Sequence, residues 1–284
     1  MQRIGVLGAG TMGGGIAHTA ARAGLQVMMF DTKPGQVEKA RDAIHARLGR
    51  AVGQGRETAA DAEATMARLV PAASLGDFSE AELAIEAVVE VMAVKQAAFA
   101  ELDQVLPKDA MLATNTSSLS ITALAQSTGR ATRVVGLHFF NPAPVMKLVE
   151  VVRGEDTSDG TVDEAMALAR VLGKEPVLVQ KDTPGFVVNR VLMPLFIEAI
   201  RILEEGIASR EDIDKAVKLG LNHPMGPLTL ADLTGLDVDL NVMDYMFEEM
   251  KDARFAAPLT LRRLVRAGRL GRKTGRGFYE YSDK

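Results

Sequence analysis

The first thirty-one residues constrain the fold more than any other stretch. RIGVLGAGTMGGGIAHTAARAGLQVMMFD, residues 3–31, reads as a short apolar strand, a glycine-rich turn, a helix and a second apolar strand ending on an acid. Gly8, Gly10 and Gly13 stand at GxGxxG spacing, and each has its own task. Gly8 permits the tight turn, Gly10 lets the backbone approach a diphosphate with no side chain between, and Gly13 lets the helix lie close on the strand. The diphosphate is then expected at the helix N-terminus, where unpaired N–H groups and the helix dipole favour negative charge. A glycine-rich turn alone carries little weight. The strand before it, the helix after it and Asp31 roughly 20 residues on complete the pattern of a dinucleotide site. A carboxylate at Asp31 accepts hydrogen bonds from adenosine ribose hydroxyls and repels an added 2′-phosphate, so NAD is expected over NADP. Lys33 is read as a solvated turn residue.

Apolar strands recur at Ile4 to Leu7, Val27 to Phe30, Leu83 to Val89, Met111 to Thr114, Val134 to Phe139, Leu148 to Val152 and Val177 to Val179, with helical patterns between most of them. That alternation predicts an α/β fold, a Rossmann-type doubly wound sheet covered by helices. Helical segments over Gln36 to Gly53 and Thr58 to Leu69 exceed what a crossover needs and read as an insertion projecting from the first half of the sheet. Arg47, Arg50 and Arg56 give it positive charge that could line a ligand, though each arginine taken singly reads first as part of a solvated face. At KDTPGF the pattern changes, and everything beyond is helical. The expected division is residues 1–183, a dinucleotide-binding domain with its helical insertion, and residues 184–284, an all-helical domain. In the latter, Phe186 to Glu205 is apolar on so much of its surface that it should be largely buried. Ser209 caps a shorter helix, NHPMGP is a loop, and a basic tail runs from Arg262 to Arg276.

Composition narrows the function classes. With 284 residues, 47% hydrophobic and 25% charged, the chain can bury a large core in two domains. It has no cysteine, which excludes disulfides and thiolate chemistry, and its four histidines lack ligand spacing, so no metal site is expected. No apolar run reaches the roughly 18 residues of a membrane span, and the N-terminus enters a strand directly, so a cytoplasmic protein without membrane partners is expected. A net charge of -4 argues against nonspecific nucleic-acid binding.

The chemistry concentrates between Asn115 and Glu150. NTSS is followed by GLHFFNPAPVMKLVE, which places a hydroxyl, a lone imidazole and a carboxylate close along the chain. His138 ends an apolar run, and the NPAP after it stops the strand because proline lacks the ladder donor. An imidazole titrates ordinarily near 6.5 and can accept a proton at neutral pH. A buried carboxylate on its other nitrogen would fix the tautomer and stabilise the imidazolium, and Glu150 is the candidate. A structural, hydrogen-bonded histidine is the competing reading of His138 taken alone.

Together the motifs GAGTMG, NTSSLS, HFFNPAPVMKLVEV, DTPGFVVNR, EDIDKAVKLG, HPMGP and GRKTGRGFY make the whole chain resemble the short-chain L-3-hydroxyacyl-CoA dehydrogenase family, most closely its bacterial 3-hydroxybutyryl-CoA members. The resemblance implies a Rossmann domain carrying NAD, a helical C-terminal domain that forms a homodimer, and an acyl-CoA such as acetoacetyl-CoA or 3-hydroxybutyryl-CoA bound between the two domains. It implies that His138 is the catalytic base, Glu150 its orienting partner, and Ser117 and Asn189 the substrate-contacting polar residues. It places Glu90, Lys95, Asn115 and Ser117 near the nicotinamide side of the cofactor, with Thr11, Met12 and Lys273 among its other contacts. Arg50 and Gln54 fall where relatives often carry lysines against the coenzyme A phosphates; Arg50 keeps the charge and Gln54 does not. The implied place is fatty acid β-oxidation. A dehydrogenase of a non-CoA hydroxy acid, of gulonate or carnitine type, is the alternative on the same fold, and a nonenzymatic NAD-binding protein is a second.

Overall fold

The computed structural model describes residues 1–281, and the chain divides into two compact units, Met1–Asp182 and a second beginning at Thr183. Short branched apolar runs with no polar alternation require burial on both faces, which parallel strands covered by helices provide. The first unit accordingly holds β1 (Arg3–Leu7), β2 (Gln26–Phe30), β3 (Leu69–Pro71), β4 (Leu83–Glu86), β5 (Met111–Thr114), β6 (Val134–Phe139), β7 (Leu148–Val152) and β8 (Glu175–Val179) in one sheet of order β3-β2-β1-β4-β5-β6-β7-β8. All neighbours are parallel except β6 and β7. The order reverses between β1 and β4, the switch point at which open α/β sheets bind ligands beyond the carboxyl ends of their strands.

Helices α1 (Thr11–Arg22), α2 (Gln36–Gly53), α3 (Ala59–Ala67), α4 (Met92–Val105), α5 (Ile121–Ala125) and α6 (Asp159–Val171) cover the sheet. The expected insertion is corrected here. Val37, Ala40, Ile44 and Leu48 of α2 are buried in the sheet's own core, and α2 and α3 carry the chain from β2 to β3. The expected helix to Leu69 stops at Ala67 because Leu69–Pro71 joins β2, where Pro71 is tolerated at the sheet edge. The strand expected to reach Val89 ends at Glu86 because the Val88 amide donates to the Glu86 side chain, at 2.7 Å, instead of continuing the ladder.

The second unit comprises α7 (Val188–Glu204), α8 (Arg210–Gly220), α9 (Pro227–Thr234), α10 (Leu236–Met250) and α11 (Leu259–Arg266). Met193, Phe196, Ile200, Leu228, Met243 and Met246 form its core. The helix expected to be largely buried is buried on one face: Val191, on the other, is 70% exposed. Two buried aspartates organise the ends. Asp214 accepts from the Leu228 and Thr229 amides at 2.8 and 2.9 Å, capping α9, whose own N-cap, Gly226, has no side chain to do so. Asp232 accepts from the Phe278 and Tyr279 amides and the Tyr281 hydroxyl, each at 2.9 Å, and so ties down the chain's final turns.

One buried polar group opposes folding in acid. Neither ring nitrogen of His18, on α1, has a hydrogen-bond partner among the described residues. Burial, aided by Arg47 and Arg22, pushes its pKa down to about 4. The unfolded chain binds this proton near 6.5, so stability present above that pH is lost as pH falls toward 4, on the order of 3 kcal/mol in full. His18→Leu should remove that part of the acid sensitivity. Denaturant midpoints at pH 7.5 and pH 4.5 test it, and an equal drop in wild type and variant would refute it.

Candidate active site

The dinucleotide turn has the geometry its glycines require. Gly8 has φ +94°, and a Cβ there would stand 2.6 Å from the Ala87 carbonyl oxygen. A Cβ on Gly13 would stand 1.7 Å from the Gly8 oxygen, whereas one on Gly10 would meet nothing within 4 Å. The bare approach at Gly10 thus faces open space at the N-terminus of α1, where no side chain caps the amides and no acid sits in the first turn. Thr11 is exposed there, and Met12 is half-buried against the core. Asp31 accepts from the Ala9 amide at 2.7 Å and the Lys33 amide at 2.8 Å, so its carboxylate is fixed at the end of β2 beside the turn. These features fit the diphosphate and adenosine ribose of NAD.

A second cluster lies at the carboxyl ends of β4 and β5. Register sets Glu86 beside Thr114, whose hydroxyl donates to Glu86 Oε2 at 2.7 Å. Lys95 of α4, wholly buried, places its ammonium 2.7 Å from Glu86 Oε1 and 3.2 Å from Glu90 Oε2. Glu90 Oε1 accepts from the Thr116 hydroxyl, from the Ser117 amide at 2.9 Å and from the Ser117 hydroxyl at 3.3 Å. Asn115 Oδ1 accepts from the Phe139 amide at 2.9 Å, fastening the NTSS turn to the end of β6.

The imidazole and its carboxylate meet through sheet register. In the one antiparallel pairing of the sheet, His138 lies directly opposite Glu150, so both side chains share a face. His138 Nδ1 is 2.7 Å from Glu150 Oε2, with both residues buried. The Phe140 ring stands 4.4 Å from the imidazole, centroid to centroid. The NPAP turn after β6 contains a cis Asn141–Pro142 bond and is held by Lys174, whose ammonium donates to the Ala143 and Met146 carbonyls at 2.6 and 2.8 Å.

The first unit therefore gathers Gly8, Gly10, Gly13, Asp31, Glu90, Lys95, Asn115, Ser117, His138 and Glu150 along the carboxyl side of one sheet. Arg50 is exposed in the last turn of α2, and Gln54, its C-cap, accepts from Arg56. Asn189 is in the first turn of α7 in the second unit. Lys273 lies in the basic tail of that unit, 2.5 Å from Asp237, and Arg262 of α11 is paired with Asp244. Sequence reading missed Glu86, Thr114 and Lys174. Glu86 did leave a signal, a carboxylate inside the buried run LAIEAVV, which demands a cation.

The profile of the 3-hydroxyacyl-CoA dehydrogenase NAD binding domain matches residues 3–183, and that of the family's C-terminal domain matches residues 185–281. The chain belongs to the 3-hydroxyacyl-CoA dehydrogenase family. It is an oxidoreductase whose cofactor is NAD. Among its relatives is a probable 3-hydroxybutyryl-CoA dehydrogenase of Bacillus subtilis, 46% identical over all of this chain and 99% of that one. A 3-hydroxyadipyl-CoA dehydrogenase of Escherichia coli is 46% identical over 99% of this chain and 59% of its own length. The crystal structure of (S)-3-hydroxybutyryl-CoA dehydrogenase from Ralstonia eutropha superposes with a TM-score of 0.96 at 45% identity, covering both chains fully.

Because Asp31 stands at the end of β2 and holds the glycine-rich turn through the Ala9 amide, Asp31→Ala should weaken NAD by about tenfold or more and relax discrimination against NADP. Fluorescence titration of each reduced cofactor measures both effects, and an unchanged ratio of the two dissociation constants would remove Asp31 from cofactor choice.

Proposed function

We propose that this dehydrogenase oxidises (S)-3-hydroxyacyl-CoA, chiefly 3-hydroxybutyryl-CoA, to 3-oxoacyl-CoA and catalyses the reverse reduction, with His138 as general acid and base. The observation that carries the reading is the buried His138–Glu150 pair at 2.7 Å. Glu150 engages Nδ1, which assigns the working proton to Nε2. In oxidation His138 takes the proton of the 3-hydroxyl; in reduction it returns a proton to the keto oxygen. When bound, NAD would supply the redox chemistry, a hydride exchanged with the carbon that bears the 3-hydroxyl. Glu150 offsets the positive charge that develops on the imidazole, at no cost of reorganisation because the ladder already holds it in place.

Ser117, whose amide and hydroxyl both engage Glu90, is assigned with Asn189 to the substrate's oxygens. Glu90, Lys95 and Asn115 are assigned to the nicotinamide side, and Thr11, Met12 and Lys273 to other cofactor contacts. Arg50 is assigned to a coenzyme A phosphate, with Gln54 as an uncharged neighbour where relatives often carry a second cation. The names of close relatives support a short acyl chain. The 3-hydroxyadipyl-CoA relative favours a second reading, a longer dicarboxylic acyl chain. A homodimer formed through the second unit is supported by the exposure of Val187, Val191, Ile207, Leu219 and Leu221. Service in β-oxidation in the cytoplasm belongs to the same reading.

His138→Gln should lower turnover by roughly 100-fold or more while NADH affinity stays near that of the wild type. Assay against 3-oxoacyl-CoA substrates of increasing length tests both the role and the chain preference. A variant keeping more than about a tenth of wild-type turnover would defeat the assignment.

Arg50→Glu should raise KM for acetoacetyl-CoA steeply with little change in turnover at saturation, because the phosphates bind ground and transition states alike. The effect should fade at high salt. A truncated thioester lacking the nucleotide should be nearly indifferent; equal damage to both substrates would make Arg50 structural.

A further inference from the structure

Glu86 has no assigned role, yet it is a fully enclosed charged group at the carboxyl edge of the sheet. It is 0% exposed, and both of its oxygens are committed: Oε1 to the Lys95 ammonium and the Val88 amide, Oε2 to the Thr114 hydroxyl. Burying an ion pair is a poor way to gain stability, since apolar residues of similar volume do as well or better. What the pair does accomplish is positional. Lys95 reaches past Glu86 to Glu90, which is 39% exposed in its side chain, and Glu90 in turn receives Ser117 through amide and hydroxyl. A chain of charge-assisted bonds therefore runs from the floor of the sheet at Glu86 through Lys95 and Glu90 to Ser117, at the strand ends where such sheets bind ligands.

We propose that Glu86 is a positioning residue for the nicotinamide side of the cofactor site, acting through Lys95 on Glu90 and Ser117. The proposal rests on the assignment of Lys95 and Glu90 to that side. Two carboxylates share one ammonium, so Lys95 cannot collapse onto Glu90 and pull it away from Ser117. Removing the charge of Glu86 leaves Lys95 with Glu90 as its sole carboxylate and distorts the surface the cofactor meets.

The test is a double-mutant cycle read by NADH titration, which needs no acyl-CoA. Glu86→Gln, close in shape, should raise the NADH dissociation constant about tenfold or more, as should Lys95→Met. The double variant should be no weaker than Lys95→Met alone, because Glu86 acts only through Lys95. In steady state the loss should fall first on KM for NADH, with a smaller rise in KM for acetoacetyl-CoA through Ser117. Glu86→Asp, which keeps the buried charge but shortens its reach to Lys95, should also raise KM for NADH, and a wild-type value there would overturn the proposal even if Glu86→Gln does not fold. Wild-type NADH affinity in Glu86→Gln, or losses that add across the cycle, would overturn the proposal. If Lys95→Met itself binds NADH normally, the cofactor assignment of Lys95 fails and the proposal with it, a result distinct from failure at Glu86 alone.

Discussion

A Cβ at residue 13 would stand 1.7 Å from the Gly8 carbonyl oxygen, and much of the first unit depends on that contact being possible. With glycine there, α1 lies against the turn that leaves β1, and its N-terminal amides point across the carboxyl end of the central strand. Because β1 lies where the strand order reverses, that approach creates an anion site beside a crevice. A bulkier residue at either position would displace the helix and, with it, the surface that Asp31 borders.

The sheet's remaining polar groups are tolerable only because each is paired. Glu86, Lys95, Thr114, His138 and Glu150 are all buried, and unpaired charges there would cost several kcal/mol each. Pairing is achieved by register. Glu86 faces Thr114 across parallel strands, and His138 faces Glu150 across the single antiparallel pairing. Had β7 slipped by one residue against β6, Glu150 would project from the other face and the imidazole would lose its partner.

The motifs of the second unit follow a different logic. The segments EDIDKAVKLG, HPMGP and GRKTGRGFY are far apart in sequence and could each pass for a ligand loop. Asp214, within EDIDKAVKLG, instead accepts from the Leu228 and Thr229 amides just beyond HPMGP, and Asp232 accepts from the Phe278 and Tyr279 amides of GRKTGRGFY, which closes the helical unit on itself. The basic tail is likewise partly neutralised internally, by Arg262 with Asp244 and Lys273 with Asp237.

Local sequence determined the elements whose signals are local. Glycine spacing and the acid at Asp31 prescribed the dinucleotide turn, and apolar runs bounded by turn residues located most strands, because those signals depend on neighbours within a few residues. They also marked His138 and Glu150 as candidates for one proton-handling pair. Tertiary structure alone decided the rest. Leu69–Pro71 is a strand because β2 offers an edge, and α2 is a core helix because the sheet lies beneath it. Glu86 is tied to Lys95, and through it to Glu90, because α4 folds back over β4. In each case the deciding partner lies on another element, and an interaction made across space leaves no period in the chain to be read.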